Sequence, residues 1–144
     1  MEPIEECLTF LLGKAQQRSY QIGKQLLQPY GVTPVQYAML HLLYERDGQN
    51  GAELGERLRL DSATMTGLID RMAQNRLVER RPDPCDRRVN QIFVTDRGQE
   101  LQAVLHQSMQ VAEEEAVQAL TDDEVSLLKN LLYRIGLHEG EGKR

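Results

Sequence analysis

Between Arg57 and Arg97 the chain carries nine arginines and no lysine. A guanidinium is planar, permanently charged and forked. It grips phosphate oxygens and base edges in paired hydrogen bonds, where an ammonium acts as a point charge. Five of these arginines fall within Arg76–Arg88, against three carboxylates, Glu79, Asp83 and Asp86. That density points to a polyanion as partner. Other chemistries find little support. His41, His106 and His138 are far apart in the sequence and show no His-x-x-x-His spacing, so no metal ligands are assigned. No Gly-rich phosphate loop and no Gly-x-Ser-x-Gly elbow occurs, which places an enzyme last. Glu113-Glu114-Glu115 reads as a solvated helix face and Asp122-Asp123-Glu124 as a helix start that favours acids. A metal sensor whose site spans two copies stays open as an alternative.

The whole chain, 144 residues, has a formal net charge of −5, which by itself argues against nucleic acid. The distribution argues the other way. Residues 51–97 hold nine basic and eight acidic side chains, whereas residues 98–144 hold four and nine. The apolar fraction of 40% and charged fraction of 27% are those of one globular domain with its own core. No apolar run approaches the roughly 18 residues of a membrane span, and the start, Met1-Glu2-Pro3-Ile4-Glu5-Glu6, lacks the basic flank of a secretory signal. Two cysteines, Cys7 and Cys85, make no disulfide framework, so a cytoplasmic protein is expected.

The arginines need elements to hold them. Leu8, Leu11, Leu12, Ala15, Ile22 and Leu26 mark one helical face, ended by Pro29 and Gly31. Thr33-Pro34-Val35-Gln36 offers a capping box with proline at the first helical position, and Val35, Met39, Leu42 and Leu43 form the expected buried stripe. Asp47-Gly48-Gln49-Asn50-Gly51 stops that helix. A short helix is predicted near Ala52–Leu58 and a turn at Arg59-Leu60. Asp61 or Ser62 then caps a further helix running to about Asn75. On it Met65, Leu68, Ile69 and Met72 face inward, leaving Ser62, Ala63, Thr64, Thr66, Gly67, Asp70 and Arg71 on a small, polar outer side. The period then changes to two. Leu77–Arg81 and Asn90–Thr95 read as strands joined by a proline-stiffened tip, Pro82–Arg88. Helical periodicity resumes with Leu101, Val104, Leu105, Ala112 and Leu120. Thr121-Asp122-Asp123-Glu124 caps a last helix carrying Val125, Leu128, Leu131, Leu132 and Ile135. The fold class is mainly α: an α+β winged helix-turn-helix of six helices with a β-hairpin wing, within a single domain 1–144.

These segments resemble the MarR-type transcriptional regulators along essentially the whole chain. The most specific stretch, Leu77 to Arg88 closed by Val94-Thr95-Asp96-Arg97-Gly98, is similar to the family's wing: a strand, an Asp-x-Arg tip, a return strand and a Thr-x-x-Gly opening of the next helix. Ser62 to Met72 is similar to its recognition helix. The resemblance implies a homodimer, with 1–31 and 97–144 as a helical dimerisation region and 32–96 as the DNA-binding region. Two half-sites about 10 bp apart then imply a pseudo-palindromic operator of double-stranded DNA. It further implies that Ser62, Ala63, Thr64, Thr66 and Gly67 enter the major groove, with amides of the helix start turned to phosphate. Arg71 contacts the DNA backbone or braces the wing, Arg87 meets phosphate, and Arg88 enters a narrow minor groove with Asp86 bracing the tip. Two positions depart from the pattern. Gly67 replaces a larger residue, and Arg76 stands where glycine is usual, so Asn75 is expected to take the left-handed turn one residue early.

The resemblance also implies a small anionic effector, aromatic or acyl, bound between the dimer helices and the winged region; Arg18, Tyr37 and His41 are the candidates. No cofactor is expected. Repression is the expected mode. The alternatives are a winged-helix module that binds protein instead of DNA and a cysteine redox sensor. Cys7 follows Glu5 and Glu6, whose charge disfavours a thiolate, and Thr9, Gly23 and Pro34 stand where the family's peroxide sensors keep their reactive cysteine and its tyrosine partners. Cys85 beside Arg87 and Arg88 has the more favourable field.

Overall fold

The computed structural model describes residues 1–137, so His138 and the end of the predicted 97–144 region lie outside the described residues. A 3₁₀ turn, Ile4–Glu6, leads into α1 (Leu8–Leu27). That helix tightens into a second 3₁₀ turn at Gln28–Tyr30, and Gly31, with φ of 70°, turns the chain away. α2 (Pro34–Glu45) opens on the predicted box: the Gln36 amide donates to Thr33 Oγ1 and the Thr33 amide to Gln36 Oε1, each at 3.2 Å. Its buried face is Gln36, Met39, Leu40, Leu42 and Leu43, while Val35 is exposed. Met39, Leu42 and Leu43 are buried as expected, and at the start of the helix Gln36, held by its cap, is buried in place of Val35.

The predicted stop after α2 holds a strand. β1 (Gln49–Asn50) pairs antiparallel with β3 (Asn90–Val94), Gln49 opposite Ile92, and β3 also pairs with β2 (Val78–Pro82). The hairpin is therefore part of a three-stranded sheet in the order β1-β3-β2. Asn50 both ends β1 and caps α3 (Gly51–Leu58) through a reciprocal box with Glu53. Hydrogen bonds from the Asn50 amide and the Arg46 guanidinium hold the Glu53 carboxyl below its usual range. Two residues are too few for a period-2 signal, which hides this strand from a reading of the sequence.

After a turn in which Arg59 takes the left-handed conformation, α4 (Ser62–Gln74) buries Met65, Leu68, Ile69 and Met72 as predicted. The core gathers these with Leu27, Leu40, Leu43, Leu54, Leu77, Ile92 and Leu105. The predicted helix after Thr95 divides into α5 (Asp96–Glu100) and α6 (Gln102–Ala116), giving seven α-helices among the described residues where six are expected. Leu101 keeps helical angles between them, so the two run on from one another. α1 packs along α6. α7 (Asp122–Gly136) begins with the reciprocal Thr121–Glu124 box. No described helix is long and apolar enough to cross a membrane.

The left-handed turn after α4 falls on Arg76, with φ of 59°, and not on Asn75. Asn75 is engaged elsewhere. Its side-chain amide donates to the Gly31 carbonyl at 2.8 Å, tying the end of α4 to the turn between α1 and α2. An L-side chain in the left-handed region costs about 1 kcal/mol. Arg76→Gly is therefore expected to raise the thermal midpoint by about 3 °C, measured by denaturation followed by circular dichroism.

Candidate nucleic-acid interface

The core fixes the inner side of α4, and the outer side it leaves begins with short residues. Ser62, Ala63, Thr64 and Thr66 are exposed, and Gly67 is half-buried. The start of the helix is less open to phosphate than the sequence suggests. The Asp61 carboxylate accepts the Thr64 amide at 2.7 Å, so that amide is taken and an anion stands beside it. Those hydrogen bonds lower the Asp61 carboxyl below its usual range. The Thr66 hydroxyl donates to the Ser62 carbonyl at 2.9 Å, leaving its oxygen to accept from a donor outside. Gly67 is explained by its neighbour: a Cβ there would lie 3.2 Å from an Arg71 guanidinium nitrogen. Arg71 lies back across the space that a larger residue would fill, placing a cation on this face.

Strand alternation sorts the wing arginines. In β2, Val78 and Arg80 share one side and Glu79 and Arg81 the other, and Arg80 stands opposite Ile92, which is buried. Arg80 therefore faces back toward α4, where it forms an ion pair with Asp70. On the outer side Arg81 lies 4.1 Å above the Phe93 ring and donates to Glu79 Oε1 at 2.7 Å. An ion pair between Asp70 and Arg80 thus links wing to helix, while the Arg71 guanidinium lies beside Gly67.

The tip is organised by two aspartates. Asp83 Oδ1 accepts the Cys85 and Asp86 amides at 2.7 and 3.3 Å, and the Asp83 amide donates to the Val89 carbonyl. Asp86 Oδ1 then accepts both the Arg88 amide and Arg88 Nε at 3.1 Å, while Arg88 Nη2 donates to Oδ2 at 3.3 Å. These bonds hold the Asp86 carboxyl below its usual range, the Arg88 side chain contributing most. Arg88 is 91% exposed in its side chain despite the fork. Arg87 and Cys85 are exposed at the same tip.

The three effector candidates separate. Tyr37 and His41 meet a residue that the sequence does not join to them, His106 of α6. The Tyr37 hydroxyl and His106 Nδ1 are 3.1 Å apart, and the His41 and His106 rings stack with centroids 5.9 Å apart. Sequence distance conceals this pairing, since α2 and α6 come together only through the fold. Among the described residues no three His, Cys, Asp or Glu side chains group as metal ligands. Arg18 is elsewhere: its Nη1 donates to the Ala116 carbonyl at 3.0 Å, at the end of α6. That is about 15 Å along the helix from His106. It borders an apolar cavity of about 840 Å³ between α1, α6 and α7, with Leu12, Met109 and Leu128 among its walls. Cys7 is half-buried at the N-cap of α1.

A three-helix unit closed by a small antiparallel sheet, with an arginine-bearing hairpin directly after the second helix of its helix-turn-helix, defines a winged helix-turn-helix protein. The MarR family profile matches residues 32–89. The sequence is 34% identical to the uncharacterized HTH-type transcriptional regulator YsmB of Bacillus subtilis, covering 80% of this chain and 79% of that one. The fold superposes on a mutant MarR from E. coli complexed with operator DNA, with a TM-score of 0.83 and 28% identity over 90% of this chain and 93% of the other. It also superposes on CouR from Rhodococcus jostii bound to p-coumaroyl-CoA, with a TM-score of 0.82 and 25% identity over 94% and 95% of the two chains. The chain belongs to the MarR family. It is a DNA-binding transcriptional regulator, and its relatives are regulators rather than enzymes.

Proposed function

We propose that the protein is a homodimeric repressor that reads a pseudo-palindromic operator and releases it when a small anionic ligand binds. The observation that carries the reading is the short-residue outer face of α4 followed within three residues by an arginine-tipped wing. Ser62, Ala63, Thr64, Thr66 and Gly67 approach the major groove, Arg71 and Arg87 meet phosphate, and Arg88, braced by Asp86, enters the minor groove. Residues 32–96 form this reader. Residues 1–31 and 97–144 join it to a second copy, supported by the apolar side chains that the single protomer leaves exposed, among them Leu8, Leu11, Leu127 and Ile135.

The ligand reading draws on the p-coumaroyl-CoA-bound relative and on the meeting of α2 with α6 at Tyr37, His41 and His106. These residues lie where the reader joins the long helix, so a ligand preferring one angle of that joint changes the spacing of the two readers. Arg18 belongs with the ligand only if a second copy brings the two places together. Gel-shift titration against the DNA upstream of its own gene tests the proposal. A sequence-selective shift is expected, with log affinity falling steeply against log salt. A flat salt dependence, or equal affinity for scrambled DNA, would reject it, as would a monomer at micromolar concentration in sedimentation.

A further inference from the structure

We infer that the Asp70–Arg80 ion pair is the positioning device that sets the wing relative to the recognition helix, so that these two side chains govern operator specificity without reading a base. The inference rests on the DNA-binding reading above and deepens it.

Between α4 and β2 the chain has only Asn75, Arg76 and Leu77, with Arg76 left-handed. Leu77 and Val78 are buried and anchor the base of the wing. Outward of them the apolar contacts stop: Glu79, Arg80, Arg81 and Pro82 are all exposed. Strand period 2 turns only one of the two wing arginines in this strand toward α4, and that one, Arg80, meets Asp70. Asp70 lies on the outer side of α4, one residue before Arg71. The tie therefore joins the face that meets DNA to the strand that carries the tip. β2 is an edge strand, held by β3 on one side only, and β1 holds β3 only at Gln91 and Ile92, so without such a tie the β2 edge and the part of the hairpin outward of that pairing are left to flex.

The effect on stability is small, because both partners are substantially exposed, at 35% and 56%, and exposed pairs contribute little. The effect on recognition is larger. A helix in the major groove and an arginine in the adjacent minor groove bind together only when their separation matches the duplex, and an untethered wing must be ordered anew at each encounter.

Charge alone predicts the opposite sign. Asp70→Asn removes a negative charge from the face that meets DNA and releases Arg80 for phosphate, so a purely electrostatic role means tighter binding to every sequence. Positioning means looser binding to the operator together with unchanged or tighter binding to unrelated DNA. The expected result for Asp70→Asn is a roughly 10-fold loss of operator affinity and at most a 2-fold change on scrambled DNA. Asp70→Glu is expected to restore most of the loss, and so is the exchange Asp70→Arg with Arg80→Asp. Discrimination against an operator whose wing-contacted segment is shifted by one base pair should weaken in Asp70→Asn.

A second readout is independent of DNA. A nitroxide on the exposed Cys85, with Cys7 replaced by serine, reports tip motion in the full dimer, and its spectrum is expected to sharpen in Asp70→Asn. Tighter operator binding by Asp70→Asn, or an unchanged nitroxide spectrum, overturns the inference. If the parent protein binds no operator, the DNA-binding reading fails, while the nitroxide still decides whether the pair tethers the wing.

Discussion

Gly98→Ala is expected to cost the fold roughly 3 kcal/mol and to lower the thermal midpoint by about 10 °C. Gly98 sits in the first turn of α5, directly after β3 returns from the wing, and it is buried. An alanine Cβ there would lie 2.6 Å from the Leu77 carbonyl oxygen and 2.5 Å from Val94 Cγ1. The valine methyl can rotate, but the carbonyl cannot retreat. It accepts the Thr95 amide at 3.1 Å, and the Thr95 hydroxyl is tied to the neighbouring Arg76 carbonyl at 2.6 Å. From the other side the Tyr44 hydroxyl donates to the Gly98 carbonyl at 2.6 Å, so the glycine backbone is held as well. That phenol is pushed up to about 12, first by burial and then by Tyr37, and it remains a donor across the whole working range of pH. Thermal denaturation of Gly98→Ala beside Gly13→Ala checks the claim. Gly13 has nothing within 4 Å of an added Cβ and lies within α1, so alanine there should be neutral or mildly stabilising. Equal midpoints for the two variants would show that the approach of Leu77 to Gly98 is not tight.

The same joint shows what a sequence discloses and what it withholds. Thr33 and Thr121 are legible as caps because a cap is decided by residues three apart in the chain, and each accepts its N3 amide as expected; between Asp61 and Ser62 the fold takes Asp61, and Thr95 caps α5 in the same way. The inner face of α4 is legible for a similar reason, since Met65, Leu68, Ile69 and Met72 repeat at helical spacing. The wing strands show their change of period. What does not show are contacts between elements remote in the chain. β1 is stabilised by β3 some forty residues away, and His41 meets His106 only because α6 folds back over α2. The left-handed residue falls one position later than propensity places it, because propensity favours asparagine, whereas Asn75 is claimed by Gly31. At the DNA-facing side, the residue types are visible but their pairing is not. Five arginines between 76 and 88 look alike in sequence, and the fold assigns Arg80 to Asp70, Arg81 to Phe93 and Glu79, and Arg88 to Asp86.

Arg88→Ala is expected to lower operator affinity 10- to 100-fold while leaving the dimer and the thermal midpoint unchanged. The size is that of one well-placed arginine contact, about 1–3 kcal/mol. It is expected here because, in the proposed complex, Arg88 would meet the duplex already ordered. Its backbone amide, Nε and Nη2 all donate to Asp86, yet the side chain is 91% exposed, so the guanidinium is aimed without being buried. An arginine held in this way loses less freedom on binding than one on a mobile loop. Asp86→Ala should then cost less than Arg88→Ala alone, and the double variant should lose little beyond Arg88→Ala, since the aspartate acts through the arginine. The pH dependence follows from the direction of the Asp86 shift. Its carboxyl is held below the ordinary value in the folded protein, so the fork is complete at neutral pH and is lost only as acid lowers the pH through that depressed value. Operator affinity limited by the fork should therefore stay flat from pH 8 down to about 5. The operator sequence separates the two ways in which Arg88 can contribute. In a narrow minor groove, its removal hurts most where the wing lies over A·T pairs, and exchanging those pairs for G·C erases the difference between parent and variant. On phosphate alone, the loss is uniform across sequences and the salt slope falls by about 1. Equal operator affinity for Arg88→Ala and the parent at the same salt would remove Arg88 from the interface and leave Arg87 as the cation of the tip.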